Sequence, residues 1–108
     1  MQNDIYDELV NGILSAISDG VVDIILYGSV ARGTNNEESD IDVAVIVLED
    51  LTTEQSDVLS DFIVDMNLKY DKVFSVIDIN NEKFENWKNV LPFYKNVACE
   101  GVSLWKAA

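Results

Sequence analysis

Residues Leu26–Val47 read Leu-Tyr-Gly-Ser-Val-Ala-Arg-Gly-Thr-Asn-Asn-Glu-Glu-Ser-Asp-Ile-Asp-Val-Ala-Val-Ile-Val. An apolar run ends in a glycine-serine turn, and ten residues later a carboxylate pair opens a second apolar run. Both runs are rich in β-branched residues, which favour strands. The first, Val21–Tyr27, is broken only by Asp23, and the second, Ile41–Leu48, shows no polar alternation. Unalternating runs of this length predict strands covered on both faces, hence a sheet with helices on either side.

Working outward, Ile5, Leu9, Ile13 and Ile17 recur at helical spacing and predict an amphipathic helix over about residues 3–18. Thr52 followed three residues later by Gln55 matches a capping box. The stripe Val58, Leu59, Phe62, Ile63, Met66 and Tyr70 then predicts a helix over about 53–70. Val73–Ile79 reads as a third strand, followed by a short helix through Trp87. Pro92 suits the first turn of a last helix ending at Cys99 or Glu100, with Gly101 as the residue beyond its C-cap. Val102–Trp105 adds a short edge strand. The expected fold is α/β: a small mixed sheet of three to four strands with helices packed on it, in the order α-β-loop-β-α-β-α. The connection from second to third strand is long enough for them to run parallel. The loop between the first two leaves their relative direction open.

At 108 residues the chain has room for one core, so residues 1–108 are expected to form a single domain. No apolar run approaches the ~20 residues of a membrane span, and Met-Gln-Asn-Asp lacks a signal-peptide profile. There is no histidine and one cysteine, which removes the usual zinc ligands and any internal disulfide. Cytoplasmic placement is the expectation. The net charge is −13. Residues 1–68 hold 15 acidic groups and one basic group, Arg32, while the remainder is near balance. Such acidity repels a phosphate backbone and argues against independent nucleic-acid binding. It suits a basic partner or divalent cations.

Gly28 permits a positive φ and a close ligand approach, and the exposed N–H groups of such a turn, with the Ser29 hydroxyl, can hold phosphate oxygens. Arg32 can add its planar fork. Asp40 and Asp42, two apart at a strand start, point to one face. Paired carboxylates repel unless a cation lies between them. Oxygen-only ligation suits Mg²⁺ or Mn²⁺. Each half also has a plain structural reading, as a turn and as a solvated strand end. The aromatics Phe62, Phe84, Trp87, Phe93, Tyr94 and Trp105 read as core or interface.

The combination of Gly-Ser, ten residues, then Asp-x-Asp resembles the polymerase-β-like nucleotidyltransferase superfamily, and the chain looks like its smallest members, the minimal nucleotidyltransferases. Gly28, Ser29, Arg32, Gly33, Ser39, Asp40 and Asp42 carry the likeness, and Pro92–Val97 with Glu100–Val102 extend it. The resemblance implies a metal-dependent enzyme that moves AMP from ATP to a hydroxyl. It implies nucleotide contacts from Gly28, Ser29, Arg32, Gly33 and Ser39, and Mg²⁺ or Mn²⁺ on Asp40 and Asp42. Proteins of this type commonly act as antitoxins that adenylylate a HEPN-domain toxin, so a HEPN partner is implied. A third carboxylate usually completes such a site from the next strand. Aligning the ends puts Ser75 at that position and Asp78 three residues on, of opposite parity. Either Asp78 is the third catalytic and metal-binding carboxylate in a shifted register, or the site has two carboxylates; Asp71 is a further candidate. A module that neutralises its partner by contact alone is the alternative function. Small-molecule modification is disfavoured, because those enzymes usually carry a second domain and none fits in this length.

Overall fold

A computed structural model describes residues 3–17, 19–28, 33 and 40–107. Helix α1 (Asn3–Ala16) leads to strand β1 (Val21–Tyr27), and β2 (Ile41–Val47) follows the 28–40 connection. Then come α2 (Thr53–Tyr70), β3 (Phe74–Asn80), α3 (Asn81–Trp87), α4 (Pro92–Glu100) and β4 (Val102–Lys106). The strands form one mixed sheet in the order β3-β2-β1-β4. β1 runs antiparallel to β2 and β4, and β2 runs parallel to β3 across the α2 crossover. The expected α/β architecture is present with four strands, and the open question of the first pair is settled as antiparallel.

Both faces of the sheet are covered. Val43, Val45, Ile24 and Leu26 pack with Leu9 and Ile13 of α1 and Leu59 and Met66 of α2. Ala44, Ile46, Ile25 and Ile79 pack with Phe84 of α3 and Val97 of α4. This two-sided burial explains why β2 carries no alternation. A bulge between Val21 and Asp23 shifts the register of β1 by one residue, so Val21 and Ile24 both reach the α1/α2 face. Asp23 is satisfied by the Ser103 hydroxyl, which donates to it over 2.7 Å from β4.

Local chemistry sets the element ends. Gln55 N–H donates to Thr52 Oγ1 and Thr52 N–H to Gln55 Oε1, completing the capping box of α2. Asp71 ends α2 in the left-handed conformation, φ +52°, one that Asp tolerates better than most residues. Phe74 N–H donates to Asn67 Oδ1 and Ile41 N–H to Val73 O, which pins the start of β3 beside the start of β2. Asn80 caps α3 by accepting from the N–H groups of Glu82 and Lys83. Gly101 departs from its expected role. It is the C-cap of α4 in extended backbone, φ −72°, rather than a left-handed residue beyond it. Its glycine is required by space: a Cβ there would lie 2.3 Å from both Ile25 Cγ2 and Val97 O.

Candidate active site

The antiparallel pairing brings the end of β1 and the start of β2 together, although Gly28 and Asp42 are separated by thirteen intervening residues. Tyr27 is the register partner of Asp42. Gly28 follows at φ +78°, and a Cβ on it would lie 2.5 Å from Asp42 Oδ2. The Asp42 carboxylate therefore rests directly against the backbone of Gly28. A side chain there would be strained by the backbone conformation and would displace the Asp42 carboxylate. Gly33 also has a positive φ, +76°, with open surroundings. Ser29, Arg32 and Ser39, three expected nucleotide contacts, lie outside the described residues.

Asp42 is half-buried and shares the parity of Ala44 and Ile46, so it lies on the α3/α4 face of β2. Asp40, two residues before it, is exposed at the mouth of the strand. On β3 the register partner of Asp42 is Ser75. Asp78 pairs instead with Val45. It is exposed, and with Phe74, Val76, Leu59 and Ile63 it lines a groove of about 400 Å³ between β3 and α2. It is thus three residues, roughly 10 Å, further along the strand and on the opposite face. The fold brings Gly28 and Asp42 together, leaves Asp40 exposed just ahead of β2, and does not bring Asp78 to them. Asp71 serves the α2 terminus. Among the described residues no group of three His, Cys, Asp or Glu side chains stands where it could hold a metal ion. Two carboxylates with oxygen-only donors still fit Mg²⁺, which takes one or two protein carboxylates and fills its shell with water and substrate phosphates.

One site residue carried no assigned role in the sequence reading. Tyr27 is half-buried, and its phenol is held above its usual pKa, first by burial and then by the negative charge of Asp42. Phe93, at the start of α4, packs edge-on against it with ring centroids 5.6 Å apart. Position next to Gly28 was the available signal for Tyr27; for Phe93, 66 residues away, there was none.

A family model described as a nucleotidyltransferase domain matches residues 8–98. The chain belongs to the nucleotidyltransferase-domain family. This nucleotidyltransferase is 35% identical over 102 residues to the Methanocaldococcus jannaschii protein named "Putative protein adenylyltransferase MJ0604", a match covering 91% of this chain and 92% of that one. It is similar in structure to a toxin–antitoxin pair crystallised with AMP-PNP, with TM-score 0.66 at 20% identity, over 94% of this chain and 73% of that one. It is also similar to a tri-AMPylated Shewanella oneidensis HEPN toxin in complex with an MNT antitoxin, with TM-score 0.63 at 17% identity, over 99% of this chain and 74% of that one. At those identities the structural likeness is one of fold. The nucleotidyltransferase fold accounts for the close approach of Gly28 and Asp42: the β1–β2 pairing builds it. Among its described residues no helix is long and apolar enough to cross a membrane.

Proposed function

We propose that this nucleotidyltransferase transfers AMP from ATP to a hydroxyl of a HEPN-domain partner, acts as the antitoxin of that partner, and works in the cytoplasm. The observation that carries the reading is the contact of Gly28 with Asp42. A phosphate-binding turn and a carboxylate in contact allow one triphosphate to be held by the turn while its α-phosphate lies beside the carboxylate. The name of the M. jannaschii relative and the toxin–antitoxin structures of the same fold support the choice of a protein acceptor.

In this reading the backbone N–H groups of the turn around Gly28 and Gly33, with Ser29, Arg32 and Ser39, hold the β- and γ-phosphates. Asp40 and Asp42 hold Mg²⁺ or Mn²⁺. Bound there, such ions offset charge on the leaving pyrophosphate and acidify the attacking hydroxyl. The acceptor oxygen forms a bond to the α-phosphorus as the bond from that phosphorus to the β-bridging oxygen breaks. Pyrophosphate leaves, and the hydroxyl proton passes to a carboxylate of the pair. Asp78 takes no part, since β3 offers Ser75 at the level of Asp42. Asp42→Asn is expected to lower transfer by ~10²-fold or more, read as label moving from α-labelled ATP to the partner. Chelation of the divalent ion should stop the same transfer, and Mg²⁺ or Mn²⁺ should restore it. Full activity in Asp42→Asn defeats the mechanism.

One observation favours a second reading, neutralisation by contact alone: among the described residues no third carboxylate joins Asp42. An Asp40→Ala/Asp42→Ala variant that neutralises the toxin as well as wild type decides for it.

A further inference from the structure

The turn that joins α3 to α4 leaves large apolar groups in water. Trp87 is 44% exposed, Val90 63%, Leu91 42% and Phe93 44%. The turn is tightly wound, since the N–H groups of Val90 and Leu91 both donate to Trp87 O, over 3.0 and 2.9 Å. Four such side chains within seven residues form a cluster of the kind that marks an interaction site rather than scattered surface apolarity. The same segment carries a small basic excess: between residues 83 and 95 stand Lys83, Lys88 and Lys95 against Glu85, to which Lys88 is ion-paired over 2.8 Å, within a chain of net charge −13. It is also joined to the reacting end of the molecule. Phe93 packs on Tyr27 at 5.6 Å, and Tyr27 is the register partner of Asp42. The exposed apolar residues of α2 lack this link, because α2 covers the other face of the sheet.

We propose that the Trp87–Phe93 turn is the docking surface for the acceptor protein. It receives an apolar segment of that protein, flanked by carboxylates, which carries the acceptor hydroxyl to Asp42. The inference rests on the adenylyl-transfer reading above and adds the side from which the acceptor arrives. An acceptor protein must touch the surface flanking Asp42 to bring a hydroxyl there. This turn offers the apolar area for it, and the lysines select the charge of the segment that meets it.

The test uses the full chain, α-labelled ATP and a HEPN-domain protein as acceptor. Val90→Ser/Leu91→Ser and, separately, Trp87→Ser change exposed positions, and unchanged thermal unfolding confirms that they fold. Each is expected to raise the acceptor KM by roughly tenfold, with kcat and the KM for ATP unaltered. Lys88→Glu/Lys95→Glu should raise the acceptor KM at low salt, by a margin that shrinks as salt is added. If wild type labels no partner, the adenylyl-transfer reading itself fails and takes this surface with it. If wild type labels the partner and the serine variants keep its acceptor KM, the surface is wrong and the reading stands. A rise in the KM for ATP alone makes the turn a nucleobase platform and overturns the proposal.

Discussion

Gly28 is the residue on which the site depends most narrowly. Its φ of +78° costs a side-chain-bearing residue ~1–2 kcal/mol. The added Cβ would also press on Asp42 Oδ2 from 2.5 Å, so strain and displacement act on one carboxylate. Gly28→Ala is expected to keep the circular-dichroism spectrum of the fold and to lose ~10²-fold in transfer, the scale on which a misplacement of about 1 Å acts. Transfer within a fewfold of wild type would show that Asp42 tolerates the shift. Gly12 matters through packing alone, since a Cβ there would sit 1.9 Å from Phe62 Cζ, and it lets α1 and α2 approach closely. Tyr27 and Ser75 flank Asp42 on the neighbouring strands, so its surroundings are built by three strands rather than by its own.

At the scale of elements, α1 and α2 are tied by one polar cluster on the face away from the site. Glu8 accepts from the Tyr70 hydroxyl and from Lys69 Nζ, the latter at 2.9 and 3.0 Å. The Tyr70 hydrogen bond first, and Lys69 second, hold the Glu8 carboxyl below its ordinary 4.5. Glu8 in turn holds Tyr70 above 10.0 and Lys69 above 10.5. A depressed carboxylate stabilises the fold above its ordinary pKa, and that contribution is lost as pH falls through the lower folded value. Raised Tyr and Lys values stabilise below their ordinary pKa and are lost as pH rises through the higher folded values. Glu8→Gln should therefore unfold at a lower temperature than wild type near neutral pH. The gap should close in acid well below 4.5 and narrow in alkali above 10.5. An equal gap at all pH values assigns the effect to packing. The sheet itself shows why β3 holds Asp78 apart from the site: in parallel register with β2 it sets Ser75, and not Asp78, beside Asp42.

For the whole molecule the net charge of −13 draws divalent cations diffusely, so a specific site must be separated from that attraction. Mg²⁺ at ten times its Kd should add about 1.4 kcal/mol to wild-type stability. Asp40→Asn/Asp42→Asn should lose that response while keeping the smaller, salt-like one. A thermal-shift titration against NaCl at matched ionic strength reads the difference, and equal Mg²⁺ responses in both proteins rule out ligation by this pair. The sequence alone determined the helices, the strands and the Gly28–Ser29 to Asp40–Asp42 spacing. These are written in local periods, caps and β-branched runs, each of which acts within a few residues. The four-strand order, the antiparallel β1–β2 pair, the bulge at Val21–Asp23, the face of Asp78 and the packing of Phe93 on Tyr27 were decided only by the tertiary structure. Each depends on the register between segments far apart in the chain, where a slip of one residue turns every side chain to the other face.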